Sequence, residues 1–118
     1  MALRRNQVPE IRVPKEAVKV ESMGGDVVVY GLRLSDKLRF AAWDVERDGP
    51  RNRQMAALLS VAVRDGAGEP IWTEDDWDVW GGQNMADAVQ LFRVAERLSG
   101  LDEAQAEKNL PPPRSDSP

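Results

Sequence analysis

Apolar and polar positions alternate over Ala17-Val-Lys-Val-Glu21, and a second run rich in β-branched and aromatic residues spans Asp26-Val-Val-Val-Tyr-Gly-Leu-Arg-Leu34. The turn cluster Met23-Gly24-Gly25-Asp26 lies between them. Two short strand-like runs across a glycine-rich connection predict a β-hairpin. A lone hairpin is marginal in water, so it must pack on something.

From Ser35 the period changes to that of a helix. Leu38, Ala41, Ala42 and Val45 fall on one face, Ser35 offers an N-cap, and Asp48-Gly49-Pro50 stops the run. A second helix is predicted from about Arg51 to Arg64, and its segment Met55–Val63 is apolar almost all round. A helix without a polar face is a central, buried one. Asp65-Gly-Ala-Gly-Glu-Pro70 is a turn, and Ile71-Trp72 is long enough only for an anchor or a two-residue bridge. Thr73-Glu-Asp-Asp76 fits a capping box and opens a short helix that Gly81-Gly82 ends.

Asn84 repeats the cap logic for a long helix to Ser99. Its stripe is Met85, Ala88, Val89, Phe92, Ala95 and Leu98 or Ser99, widened by Leu91 and Val94. Gly100 supplies a left-handed stop, Asp102 caps a last short helix to about Lys108, and Pro111-Pro-Pro113 ends it. The fold class read from this order is α+β, mainly α, with an N-terminal hairpin packed on a small helical bundle. Residues 1–16 read as a flexible arm, 17–109 as the domain and 110–118 as a disordered Pro-rich tail. There is no internal repeat.

Composition narrows the function more than the fold. The length of 118 residues suits one domain. With 16 Lys+Arg against 20 Asp+Glu the net charge is −4, which argues against a nucleic-acid partner. No cysteine and no histidine are present, which excludes the usual zinc sites and Ser-His-Asp or Cys-His hydrolysis. No apolar stretch approaches the ~18 residues of a membrane span, and no apolar signal segment follows Met1. The expectation is a soluble intracellular protein without membrane contact. The charge is uneven: residues 1–64 carry 12 basic and 8 acidic side chains, and residues 65–118 carry 4 and 12. Acids at helix N-termini explain part of that, and two electrostatically distinct faces would explain the rest.

Glu74, Asp75, Asp76 and Asp78 are the most chemical-looking cluster. A magnesium or calcium site would use such oxygens, but the calcium-loop pattern is absent and first-turn residues point around a helix without converging. Acids at a capped N-terminus account for them. Trp72, Trp77 and Trp80 place three of the four tryptophans within nine residues. Trp77 and Trp80 share a helix face and serve either as core anchors or as an interface anchor. Base stacking is excluded by the acids around them. The pairs Gly24-Gly25, Gly66-Ala-Gly68 and Gly81-Gly82 match neither phosphate-binding glycine pattern. No catalytic set, cofactor site or metal site remains. An apolar helical surface in excess does, and that is the mark of an interaction module.

The order of motifs resembles the tail assembly chaperones of long-tailed bacteriophages. The resemblance is carried by Gly25-Asp-Val-Val-Val-Tyr-Gly-Leu leading into Ser35-Asp-Lys, and by Leu58–Asp76 with its acidic-glycine turn and "Thr-acid-acid-Asp" start. Leu91-Phe-Arg-Val-Ala-Glu-Arg-Leu-Ser-Gly-Leu101 and the closing Glu107-Lys-Asn109 complete it. It covers about residues 18–109; Trp43 and Trp77 have no counterpart in the pattern. The resemblance implies a non-enzymatic protein of the host cytoplasm, absent from the mature virion. Such a protein coats the tape-measure protein, keeps it soluble and helps recruit tail-tube subunits, with self-association as a further partner relation. Members of that family often make a minority longer product by a ribosomal frameshift near the end of the gene, and Glu107-Lys108-Asn109 can be encoded by the slippery codons GAA AAA AAC. The partner-contact residues expected on this reading are Trp77, Trp80, Leu91, Val94 and Leu98. The alternatives are a structural tail-completion or head–tail connector subunit and a small metal-binding domain built on the acid cluster.

Overall fold

Val18 and Val27 face each other across an antiparallel pair, and Val29 faces Val63 across the next, so one side of a three-stranded sheet is a wall of buried valines. The structure is a computed structural model and describes residues 2–100. Its strands are β1 (Lys15–Val20), β2 (Gly25–Tyr30) and β3 (Val63–Arg64), in the order β1-β2-β3. The helices among the described residues are α1 (Leu34–Ala41), α2 (Val45–Asp48), α3 (Arg53–Ala62), α4 (Glu74–Gln83) and α5 (Met85–Leu98). The class is α+β, mainly α, with the hairpin packed on the helices.

The strand pattern follows the alternation in the sequence: Val18 and Val20 point inward from β1, Val27 and Val29 from β2. β1 begins at Lys15, inside the stretch read as an arm, and that stretch holds one 3-10 turn at Arg5–Gln7. The third strand was not foreseen. α3 ends at Ala62 and the chain turns straight into extended backbone, where Val63 and Arg64 pair with β2. An unbroken apolar run hid that junction, because burial on all sides looks the same in a helix and in an inner strand. The deep burial of α3 is as expected: Ala56, Ala57, Leu58, Leu59 and Ala62 are all enclosed.

The first helical stretch departs most from its sequence pattern. The helix starts at Leu34 with Arg33 as N-cap, so Ser35 lies inside it and does not cap. It ends by Ala42, and Asp44 caps the separate α2 by accepting from the backbone N–H of Glu46 (2.9 Å) and Arg47 (3.4 Å). Between them Trp43 is buried, its indole N–H donating to the Gly49 carbonyl at 2.8 Å. Phe40, also buried, stacks on it with centroids 6.3 Å apart, and its carbonyl accepts from the Gln54 side chain at 2.6 Å. The face expected to be buried, Leu38 with Ala41, Ala42 and Val45, is exposed instead. Residues two apart on a helix differ by about 200° around it, so Leu38 and Phe40 cannot both face inward. Two aromatic rings bury more surface than one leucine and win the inner side.

α4 carries the expected capping box, Thr73 Oγ1 accepting from Asp76 N and Asp76 reaching back to Thr73 N. It runs through Gly81 and Gly82 to Gln83 rather than stopping at them. Asn84 does not cap α5; its side-chain amide donates to the Trp80 carbonyl at 3.1 Å and closes α4. α5 touches β1, β2, α3 and α4, which makes it the hub of the domain. Its buried line is Ala88, Leu91, Ala95 and Ser99, so Leu91 is central to the stripe and Met85, expected within it, is exposed. Ser99 Oγ accepts the Leu32 N–H at 2.8 Å, tying the end of the helix to the strand exit. Nearby, a Cβ on Gly31 would stand 2.9 Å from the Leu98 carbonyl, so only glycine fits there. Gly100, at φ +73°, is the left-handed residue after the helix. The expected helix at Asp102–Lys108, the Pro-rich tail and Glu107-Lys108-Asn109 lie outside the described residues.

Candidate partner-binding surface

The acid cluster on the first turn of α4 is organised around one cation. The Arg53 guanidinium, at the start of α3, donates to Glu74 Oε2 at 2.9 and 3.0 Å, to Asp75 Oδ1 at 2.6 Å and to Asp78 Oδ2 at 3.3 Å. Hydrogen bonding to Asp75 first, then to Glu74, holds the Arg53 pKa above its ordinary value. The fourth acid, Asp76, is the reciprocal half of the capping box. Among the described residues no group of three or more acidic, histidine or cysteine side chains is placed to hold a metal ion. The carboxylates outnumber the guanidinium they surround, so this edge of the molecule keeps a negative excess.

Behind it the three tryptophans touch one another. Trp77 lies edge-on to Trp72 at 4.8 Å and to Trp80 at 5.4 Å, and Trp72 and Trp80 are 5.5 Å apart. Trp77 is 1% exposed, and its indole N–H has no hydrogen-bond partner among the described residues. Trp72 and Trp80 are half-buried and, with Met23, Val27 and Ile71, line a surface depression of about 440 Å³. On the other side of Trp77, an apolar groove of about 380 Å³ runs between α3, α4 and the start of α5. Its lining includes Met55, Leu59, Met85, Ala88 and Phe92, with Asp78 on its edge.

The five residues expected to touch a partner do not form one face. Trp77 and Leu91 are core residues, 1% and 0% exposed, and cannot reach another chain from there. Their assignment is corrected: both are enclosed within the core of their own domain, which the helix period could not reveal. Trp80 lines the tryptophan depression. Val94 lines a separate hollow on the outer side of α5, with Val89. Leu98 is half-buried near the end of α5. Outside the N-terminal segment with its exposed Leu3, Val8, Ile11 and Val13, the open large apolar side chains are Leu34 and Leu38 on α1 (72% and 60% exposed), with Val45, Val79 and Met85. Phe40 and Trp43, three apart, were the available signal, since they already supply that segment with an inward anchor.

No protein-family model matches the sequence, and no curated protein matches it. The fold has a match among solved structures: the tail assembly chaperone of bacteriophage HK97, with a TM-score of 0.55 over 73% of this chain and 85% of that one, at 19% identity. The chain has the fold of a phage tail assembly chaperone. The likeness spans most of the HK97 chaperone, so the shared unit is the domain itself and not a fragment of it. On this chaperone fold the tryptophan depression, the α3–α4–α5 groove and the bare face of α1 are three separate apolar surfaces.

Proposed function

We propose that this chain is a tail assembly chaperone without catalytic activity. It binds the tape-measure protein, keeps it soluble and helps recruit tail-tube subunits in the host cytoplasm, and it is not retained in the mature virion. The observation that carries the reading is the shared fold with the HK97 tail assembly chaperone. The surface supports it independently: a long apolar-faced helix aggregates unless its stripe is covered, and hollows lined by aromatic side chains cover such stripes. The client site we assign is the depression of Trp72 and Trp80, with Trp80 as the anchor; Val94 and Leu98 lie on the adjoining helix. A net charge of −4 helps such a complex stay in solution.

Trp80→Ala should weaken co-purification of the tape-measure protein while the domain keeps a cooperative thermal transition. Undiminished co-purification would remove the depression as the client site. Mass spectrometry of purified particles separates a chaperone, absent from them, from a connector subunit present in fixed copy number.

A further inference from the structure

The tryptophan depression meets β2 at its start, Gly25–Val27; the other end of β2, at Tyr30, borders a polar pocket of about 460 Å³. Arg33, Asp36, Tyr30 and Arg64 supply its polar wall, Leu32 and Val61 its apolar one. β3 and the turn after it fix Arg64. Its backbone pairs with Val28, its Nη1 donates to the Gly68 carbonyl at 3.0 Å, and its guanidinium stands 5.3 Å from the centre of the Tyr30 ring. Its Nε is enclosed without an acceptor, and among the described residues no carboxylate pairs with it. Asp65, next in sequence, turns its Oδ1 to the N–H groups of Ala67 (2.8 Å) and Glu69 (3.0 Å) instead. Asp36 shares the lining but makes an ion pair with neither arginine. Arg33, the N-cap of α1, gives that helix no side-chain acceptor, so the first-turn N–H groups add to the positive field. Charges drawn out of water are ordinarily paired, and two arginines against one aspartate favour an anion here.

We propose that this pocket binds a peptide carboxylate, an Asp or Glu side chain whose oxygens meet Arg64 and Arg33 while an apolar stem or neighbour lies against Leu32 and Val61. A guanidinium matches a carboxylate in both geometry and charge. One positive charge in excess suits a monoanion; a phosphate dianion would leave the apolar wall unused and be repelled more strongly by Asp36. One source of such a group is close in the sequence. Asp102 and Glu103 follow Gly100, and the end of α5 is tied to the pocket wall, where Ser99 Oγ accepts the Leu32 N–H at 2.8 Å. An acidic segment of a partner protein is the other source. The pocket shares no lining residue with the tryptophan depression, so its failure leaves the chaperone reading standing, and the reverse also holds.

The test is an NMR titration of the isotope-labelled full chain with the capped tripeptide Leu-Asp-Glu, and with Leu-Asn-Gln as the uncharged control. It is run on the wild type and on a variant carrying Asp102→Asn and Glu103→Gln together. The acidic peptide should shift the Arg64 side-chain N–H and the backbone N–H signals of Leu34, Ser35 and Asp36 saturably; the control should not. A shift confined to the double variant supports the proposal with the chain's own acids as the occupant. A shift in the wild type as well supports it with a partner's acid as the occupant. Arg64→Gln should weaken the peptide about tenfold or more. Arg33→Gln, at an exposed position, replaces it should Arg64→Gln unfold, with the same outcome. No saturable shift in either chain, an equal response to Leu-Asn-Gln, or undiminished binding after the arginine substitution overturns the proposal. Tighter binding of inorganic phosphate than of the tripeptide overturns it as well.

Discussion

α1 and α5 are both amphipathic in sequence, yet they use their apolar residues in opposite ways. α5 turns Ala88, Leu91 and Ala95 into the centre of the domain, where four other elements meet it. α1 hands the inner side to Phe40 and leaves Leu34 and Leu38 in water. A helical period states that a stripe exists. It does not state what covers the stripe, and where a short segment carries two stripes the bulkier one takes the core. The leftover stripe then stays exposed to solvent.

Substitutions on the same helix test this contrast most sharply. Phe40→Ala should cost about 3–5 kcal/mol of stability and Leu38→Ala less than about 0.5, measured by denaturant unfolding. Comparable losses at the two positions would mean that α1 has no free face. On α5, Leu91→Ala should cost about 2–5 kcal/mol while Met85→Ala stays within about 0.5, although both were read as parts of the same apolar surface. Smaller again is Ser99→Ala, about 1–3 kcal/mol, because it leaves the part-buried Leu32 N–H without its acceptor. The smallest effect belongs to the α1–α2 segment. Arg47 hydrogen-bonds Asp48, the Asp44 N–H adds a second bond, and together they hold the Asp48 carboxyl below its ordinary value. A depressed carboxylate pKa contributes stability above the unfolded value of about 3.9, and that contribution fades as pH falls through it and below. Asp48→Asn should therefore make the thermal midpoint slightly less acid-sensitive between about pH 5 and 3.

What could be read along the chain was local. The hairpin, the Thr73–Asp76 capping box, the enclosed α3 and the Gly100 stop each depend on residues a few positions apart, and they stand as expected. What was missed depends on residues distant in sequence. The pairing of Val63 with Val29 makes a strand out of what looked like the end of a helix. Arg53 gathers Glu74, Asp75 and Asp78 from another helix, which turns a candidate metal cluster into an ion-pair network. Of two tryptophans on one helix, Trp77 is sealed beneath Trp72 and α5 while Trp80 remains at the rim, a choice made by packing and invisible in their spacing. An excess of apolar helix surface could be read along the chain, but the period could not separate the enclosed Trp77 and Leu91 from the partly open Trp80, Val94 and Leu98.

The most direct test of the account is to produce the tape-measure protein in cells with this chain, without it, and with Trp80→Ala. The account expects the tape-measure protein to be soluble in the first case, aggregated in the second, and shifted toward the pellet in the third. Equal solubility with and without the chain would contradict it.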